Sequence, residues 1–357
     1  MKRLLHICGN VRSGGILSFV TWITDLNPGQ KTVHDILLTF EGRGDIDGQM
    51  HNCTVHHLNY DKKGFFAAMQ RARKVCRAYD AVLIHTAHPV AVLPLITMRR
   101  PVLLFQHGMA VSSGPQIKRF VKRMWFTILP VLLRARVVCS TVFASDKLRR
   151  LGIFVQSNRS VIIPFGVPVK RRSASKSQKG FLRVGIAGNL VDWKRHHLVL
   201  ESLEGYDGTL RIQVAIAGHG PEERRLREIA NRLDRDLIQV DFLGQVENMD
   251  SFYRDLDLVV IPSRGESFGL VALEALCRGL PVAVFKDVGG CLSLINDRIN
   301  GFVMEDDLKG PRTLWRLLDA ETDMLDQLKK NIDETDLSSY DISRTRLALE
   351  ALTTPEK

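Results

Sequence analysis

No stretch of the 357 residues approaches the roughly 18 consecutive apolar residues of a membrane-spanning helix. The longest candidate, residues 125–133, is short and contains Pro130. No Cys-x-x-Cys pair occurs. The cysteines (Cys8, Cys53, Cys76, Cys139, Cys277, Cys291) are scattered, which argues against a disulfide framework or a zinc site and fits a reducing cytosol. No small-residue cleavage site follows the short apolar run at residues 4–8, so the N-terminus reads as a first strand and not as a signal peptide. Acidic residues are scarce in the first half. Residues 1–178 hold 8 Asp and Glu against 27 Lys and Arg, net +19, while residues 179–357 hold 31 against 23, net −8; together these give the overall +11. The basic half therefore suits an anionic partner. Aromatic residues do not interleave with the basic ones over a sheet or groove, which removes the main signal for nucleic-acid binding.

What is present organises around residues 258–284. Leu258-Val259-Val260-Ile261 suits a strand buried on both faces, and Pro262 stops it. Ser267 is a capping residue for a helix running to about Arg278, with Gly279 at its end and Pro281 beyond. Residues 280–284 read as a second buried strand, completing a βαβ unit. The amides of Phe268, Gly269 and Leu270 then fall in the first helical turn, where a positive dipole end favours phosphate. Gly265 and Gly269 allow close backbone approach. Glu266 lies just before this turn. Glu274 lies about two turns in, among apolar neighbours, where a charge needs a hydrogen-bonding partner such as a ligand's hydroxyl pair.

The length allows two domains of ordinary size. Residues 4–8 lead into Gly14-Gly15 and a helix from about residue 16; the pattern is not Gly-x-Gly-x-x-Gly, so a dinucleotide site is unsupported. Strands are expected near 36–40, 81–85 and 101–106, with a helix over 64–79. His107 sits where the last of these strands ends in a glycine turn; a lone histidine there is usually structural. Residues 115–128 keep helical spacing of Ile117, Phe120, Val121, Met124, Trp125 and Ile128, with Lys118, Arg119, Lys122 and Arg123 on another face. Such a helix either lies on an anionic membrane or packs on its own core. Residues 170–179 are rich in Lys, Arg and Ser and mark a linker at 171–179 between a domain of 1–170 and one of 180–339. The second domain opens with a strand into Gly188-Asn189. Asp192 is positioned to cap the next helix, and Lys194 then opposes its dipole, which calls for an anion between them. Gly218-x-Gly220 lacks a third glycine and reads as a turn at the end of a strand. Asp255-Leu256-Asp257 mimics a metal-binding Asp-x-Asp but runs into the buried strand, and no other cluster suits a metal.

Glu266 and Glu274, within Pro-Ser-Arg-Gly-Glu-Ser-Phe-Gly-Leu-Val-Ala-Leu-Glu-Ala-Leu, together with Gly279-Leu280-Pro281-Val282, Gly289-Gly290 and Asn300-Gly301-Phe302, resemble the signature of retaining GT-B glycosyltransferases of family 4, also called glycosyl transferases group 1. The resemblance is specific over about 185–305 and weaker outside. It implies an α/β GT-B fold of two Rossmann-like domains across a cleft, with the last residues, 340–357, crossing back to the first domain. It implies a UDP- or GDP-linked sugar donor, a glycan or lipid-linked acceptor, front-face transfer with retention and no metal, in bacterial polysaccharide or glycolipid synthesis. It assigns Glu266 to the donor sugar, Glu274 to the ribose, Lys194 to the diphosphate, His107 to the sugar, and Gly14 and Gly15 to the lining of the site. Asn189 departs from the family, which usually has an arginine there; either Arg195 or Arg264 substitutes, or that contact is weaker. A sugar-nucleotide epimerase shares the fold but needs acid–base carboxylates from both domains, and the first is acid-poor. The expected location is cytoplasmic, at the inner face of the membrane.

Overall fold

The computed structural model describes residues 1–9, 15–26, 32–40, 52–61, 64–107, 116–153, 159–169 and 180–354. They form two units, Met1–Pro168 with Ser339–Lys357, and Val169–Ser338. Gly14 and the linker residues 171–179 lie outside the described residues.

The first unit is built on seven parallel strands: β1 (Lys2–Cys8), β2 (Thr32–Leu38), β3 (Val55–His57), β4 (Ala81–Ile84), β5 (Val102–Gln106), β6 (Arg136–Cys139) and β7 (Ser160–Ile162). Their order is β3-β2-β1-β4-β5-β6-β7. Strands covered on both faces read as apolar runs, and every residue of β4 and β5 is buried. The crossovers carry α1 (Gly15–Asp25), α2 (Phe65–Cys76), α3 (Pro89–Val92), α4 (Gln116–Leu132) and α5 (Val142–Arg150).

The second unit has six parallel strands: β8 (Phe181–Ala187), β9 (Arg211–Ala217), β10 (Ile238–Gly244), β11 (Leu258–Ile261), β12 (Val282–Phe285) and β13 (Gly301–Met304), in the order β10-β9-β8-β11-β12-β13. Its helices are α6 (His196–Glu201), α7 (Glu223–Ala230), α8 (Met249–Arg254), α9 (Leu270–Leu276), α10 (Lys309–Ala320) and α11 (Met324–Glu334). The last helix, α12 (Ile342–Leu352), belongs to the first unit. Its start is stapled there by Val167 N–H to Tyr340 O (3.0 Å) and Ile342 N–H to Val167 O (3.1 Å). Arg346 then donates to the carbonyls of Ile23, Leu26 and Thr32 at 3.1, 3.0 and 2.8 Å.

In each sheet the chain leaves the first strand in one direction and later returns to its other side. The switch lies between β1 and β4 in the first unit and between β8 and β11 in the second. Open α/β sheets bind ligands at the carboxyl ends of the strands at such a point.

Two further sequence features find their place here. Asp257 of the Asp-x-Asp pair is buried in an internal ion pair, accepting from Lys329 Nζ (3.2 Å) and from the Arg183 amide (3.0 Å). On α4, the apolar stripe is not packed on the unit's own core. Ile117, Phe120, Val121, Met124 and Ile128 are exposed, at 79, 65, 60, 44 and 42%. Leu129, Leu133 and the half-buried Arg119 and Lys122 share the covered flank instead. Trp125, expected at a membrane edge, packs against the core and donates its indole N–H to Ala87 O at 2.9 Å.

Candidate active site

The second sheet brings together the turns that follow β8, β11 and β12. Gly188 ends β8 with φ 144°, and a Cβ there would meet Lys194 Nζ at 3.5 Å. Asn189 follows it, exposed. A one-turn 3-10 helix, Asp192–Lys194, carries Lys194; Asp192 makes no side-chain cap, and α6 begins only after Arg195 in the left-handed region at φ 52°. Lys194 Nζ lies 4.6 Å from the centroid of the Trp193 ring and forms an ion pair with Glu266, 72 residues later. Both side chains keep about one-seventh of their surface accessible (14 and 16%), so the pair is sheltered yet reachable.

Glu266 is held by its backbone. Its N–H donates to Val288 O (2.6 Å), and Gly290 N–H donates to Glu266 O (2.8 Å), in a parallel bridge to Gly289. The post-β12 loop thus fixes the post-β11 turn. The same turn is clamped from below by Arg195. This guanidinium, buried at 7%, donates to Pro262 O (2.8 Å), Ser263 O (3.2 Å) and both carboxylate oxygens of Asp287, and stacks 4.9 Å from the Phe285 ring. With four protein oxygens engaged, Arg195 is a structural staple of this turn. Arg264 is 68% exposed, meets Asp287 Oδ2 at 3.1 Å and donates its N–H to Trp193 O at 2.9 Å, beside Lys194. It is the arginine that stands open to a ligand.

The helix after this turn starts later than the sequence suggests. Ser267 is buried but does not cap it. Gly269 stands at the N-cap with φ 96°, so Phe268 and Gly269 precede the helix and the first-turn amides are those of Leu270, Val271 and Ala272. A Cβ at residue 269 would sit 2.5 Å from Cys291 Sγ, so this left-handed position takes glycine and admits a neighbouring side chain. Gly218 and Gly220 likewise pack against the carbonyls of Gly188 and Leu190, locking the turns after β8 and β9 together.

Glu274 is 7% exposed, and the partner its burial demands is within the protein: Tyr253 Oη donates to Glu274 Oε2 at 2.8 Å. Burial pushes the Glu274 carboxyl up to about 6, against the lowering effect of that bond and of the Arg278 charge. One hydrogen bond leaves an ionised carboxylate with capacity for ligand hydroxyls. Tyr253 and Asp287 escaped the sequence reading, although Asp287 was findable as the first acid beyond the 282–285 strand.

In the first unit, Gly15 opens α1 and His107 follows β5. The His107 ring lies among Phe19, Phe105 and Phe165, with centroids 5.8, 5.4 and 5.1 Å away. Burial holds its pKa down at about 3, so it is neutral at physiological pH.

One prediction separates the two arginines. Arg195→Met should lower the stability of the second unit by about 2–4 kcal/mol, because it strands buried carbonyls and the Asp287 carboxylate. Arg264→Ala should stay within about 0.5 kcal/mol of wild type, as exposed substitutions do. Urea unfolding of both variants reads this; equal stabilities would contradict the staple.

Residues 170–333 match the family model described as glycosyl transferases group 1. A glycosyltransferase of Haemophilus influenzae is 22% identical over 331 residues, covering 85% of this chain and 86% of its own. A D-inositol 3-phosphate glycosyltransferase of Geodermatophilus obscurus is 27% identical over 323 residues, covering 79 and 67%. A GDP-mannose-dependent alpha-mannosyltransferase of Corynebacterium glutamicum is 34% identical over 249 residues, covering 65 and 57%. Among solved structures, Anabaena HepE in complex with UDP and glucose superposes with a TM-score of 0.81 at 17% identity, covering 99% of this chain and all of its own.

Proposed function

We propose that this chain, which has the GT-B fold and whose residues 170–333 match the glycosyl transferases group 1 family model, transfers a sugar, with retention and without a metal, from a UDP- or GDP-linked donor to a lipid-linked glycan or glycolipid. The observation that carries this is the meeting of Lys194 and Glu266 at the switch point of the second sheet, eight residues before the buried Glu274. Lys194 and Arg264 supply positive charge for a diphosphate, Glu266 accepts from hydroxyls of the donor sugar, and Glu274 accepts from those of the ribose. The leaving diphosphate gains charge as the glycosidic bond breaks, so a fixed ammonium beside it stabilises the transition state more than the ground state. That is the work a divalent cation would otherwise do. UDP and glucose in the HepE complex, and the GDP-mannose dependence in the name of the Corynebacterium relative, support a nucleotide-sugar donor. The assay is release of nucleoside diphosphate from a panel of UDP- and GDP-linked sugars, with a total lipid extract as acceptor and excess EDTA. Sugar should appear in the lipid fraction with EDTA present. Turnover that EDTA abolishes and manganese restores would contradict the metal-free route.

The acceptor half rests on α4. Its exposed ridge from Ile117 to Ile128 spans about 16 Å at roughly 1.5 Å per residue, and Lys118 and Arg123 stand exposed on the same helix. Two such cations contribute about 2 kcal/mol at an anionic bilayer, roughly thirtyfold in partitioning, and the apolar ridge contributes the rest by insertion. No helix among the described residues is long and apolar enough to cross a membrane. Phe120→Gln with Met124→Gln should lower recovery on anionic liposomes by about tenfold or more, and Lys118→Gln with Arg123→Gln should make recovery insensitive to salt. Unchanged recovery in both variants would point to a water-soluble acceptor.

A further inference from the structure

Four histidines far apart in the sequence form one hydrogen-bonded row across the first sheet. His34 lies on β2, His6 on β1, His85 just after β4 and His107 just after β5. These are four adjacent strands. His34 pairs in register with Leu4, two residues before His6, and His6 pairs with Leu83, two residues before His85. Ile84 pairs with Leu104, so His85 in turn falls beside Phe105, two residues before His107. A two-residue step keeps the side chain on the same face, so the row climbs diagonally to the carboxyl end of the sheet. The rings meet nitrogen to nitrogen: His34 Nδ1 to His6 Nε2 at 2.8 Å, His6 Nδ1 to His85 Nε2 at 2.9 Å, and His85 Nδ1 to His107 Nε2 at 2.6 Å. At the far end His34 Nε2 meets Glu350 Oε1 at 3.2 Å. Glu350 is itself fixed by Arg346 Nε at 2.8 Å.

The row has a direction. A neutral imidazole carries one N–H and one lone pair, and an ionised carboxylate only accepts. Burial disfavours charge on all four rings, and hydrogen bonds from His34 and Arg346 outweigh burial at Glu350 and hold its carboxyl down at about 2. Glu350 therefore requires the proton of His34 on Nε2. His34 Nδ1 then accepts from His6 Nε2–H, His6 Nδ1 from His85 Nε2–H, and His85 Nδ1 from His107 Nε2–H. The opposite polarity would set a lone pair of His34 against the carboxylate.

We propose that Glu350, through His34, His6 and His85, fixes the tautomer and ring orientation of His107, so that His107 presents an unprotonated Nδ1 as a hydrogen-bond acceptor to a sugar hydroxyl. Glu350 and the three inner histidines are positioning residues; His107 is the group that meets substrate. The sugar hydroxyl rests on the transferase reading above, whereas the relay stands on the tautomers alone.

The test uses the full chain with ¹⁵N-labelled histidine and long-range ¹H–¹⁵N correlation spectra, which separate protonated from unprotonated ring nitrogens. All four rings should carry their proton on Nε2 at neutral pH. His6→Phe keeps a ring in place but cuts the row: His34 should hold its tautomer, while His85 and His107 lose theirs. Glu350→Gln, whose amide oxygen still accepts from His34 and Arg346, should retain the pattern that Glu350→Ala loses; if Glu350→Ala fails to fold, His6→Phe alone decides. A proton on His107 Nδ1 in the wild type, or an unchanged His107 in His6→Phe, would overturn the relay. Addition of UDP- and GDP-linked sugars should shift the His107 Nδ1 signal where the bare nucleoside diphosphates do not, and donor affinity in His6→Phe should fall about threefold to tenfold. A shift only when lipid acceptor is also present assigns the hydroxyl to the acceptor. No shift with either overturns the hydroxyl contact and leaves the relay intact.

Discussion

Lys194→Met should lower turnover of the nucleotide-sugar by about 10²- to 10³-fold, the range seen when one preorganised electrostatic contact is removed from a transition state. In the resting protein the ammonium is balanced by Glu266, the two side chains being 14 and 16% accessible. Its full value is therefore realised only when charge builds on the leaving diphosphate. The variant also leaves the Glu266 carboxylate partly buried without its cation, which destabilises for reasons unrelated to catalysis. Lys194→Met with Glu266→Gln leaves no such charge behind. The stability of the double variant should lie closer to wild type than that of Lys194→Met, while its turnover remains low. Donor turnover at the wild-type rate in Lys194→Met would mean that the diphosphate is met elsewhere.

Acid should unfold the first unit early. Lowering the pH from about 7.5 to 5.5 should cost about 1.4 kcal/mol for each histidine that stays neutral when folded, or about 4 kcal/mol for His6, His85 and His107 together. Burial holds all three well below the ordinary histidine range. In the unfolded chain they take up protons near pH 6.5. The unfolded state then binds more protons than the folded one, so stability is present above that pH and is lost as pH falls below it. A further loss begins lower, as the unfolded chain protonates Glu350, whose folded carboxyl holds out to about 2. In the second unit burial holds His196 down at about 3, and that unit should lose about a third as much over the same interval. Denaturant unfolding at the two pH values, on wild type and on His6→Phe, measures the slope. A first unit as stable at pH 5.5 as at 7.5 would mean that these rings are already charged when folded.

Glu266 and Lys194 were legible as site candidates because each residue sits beside a glycine turn at the end of a buried strand, where chemistry is expected whatever the tertiary detail; their contact across 72 residues was not. The start of α9 was not. Ser267 has the side chain of a cap, but the helix begins only after Gly269, which packs against Cys291, distant in sequence. Arg195 and Arg264 could not be told apart by position; burial, 8 against 68% of the side chain, is what separates them. The spacing on α4 gave an amphipathic helix correctly but carries no information on which face is covered. The histidine row was invisible for a deeper reason. Positions 6, 34, 85 and 107 share no period, and only the strand order and the two-residue register step align them.

The central claim, a nucleotide-sugar site built on Lys194, Glu266 and Glu274, is tested most directly by calorimetric titration of UDP- and GDP-linked sugars into the wild type and into Glu274→Gln. Glu274 Oε2 already accepts from Tyr253, so the fold survives a neutral isostere there, and only the hydrogen bonds to ribose hydroxyls lose their charge. The account predicts that at least one donor binds the wild type and that Glu274→Gln weakens it about 10- to 100-fold, with thermal unfolding of the free proteins little changed. Failure of every donor to bind, or equal affinity for wild type and variant, would contradict it.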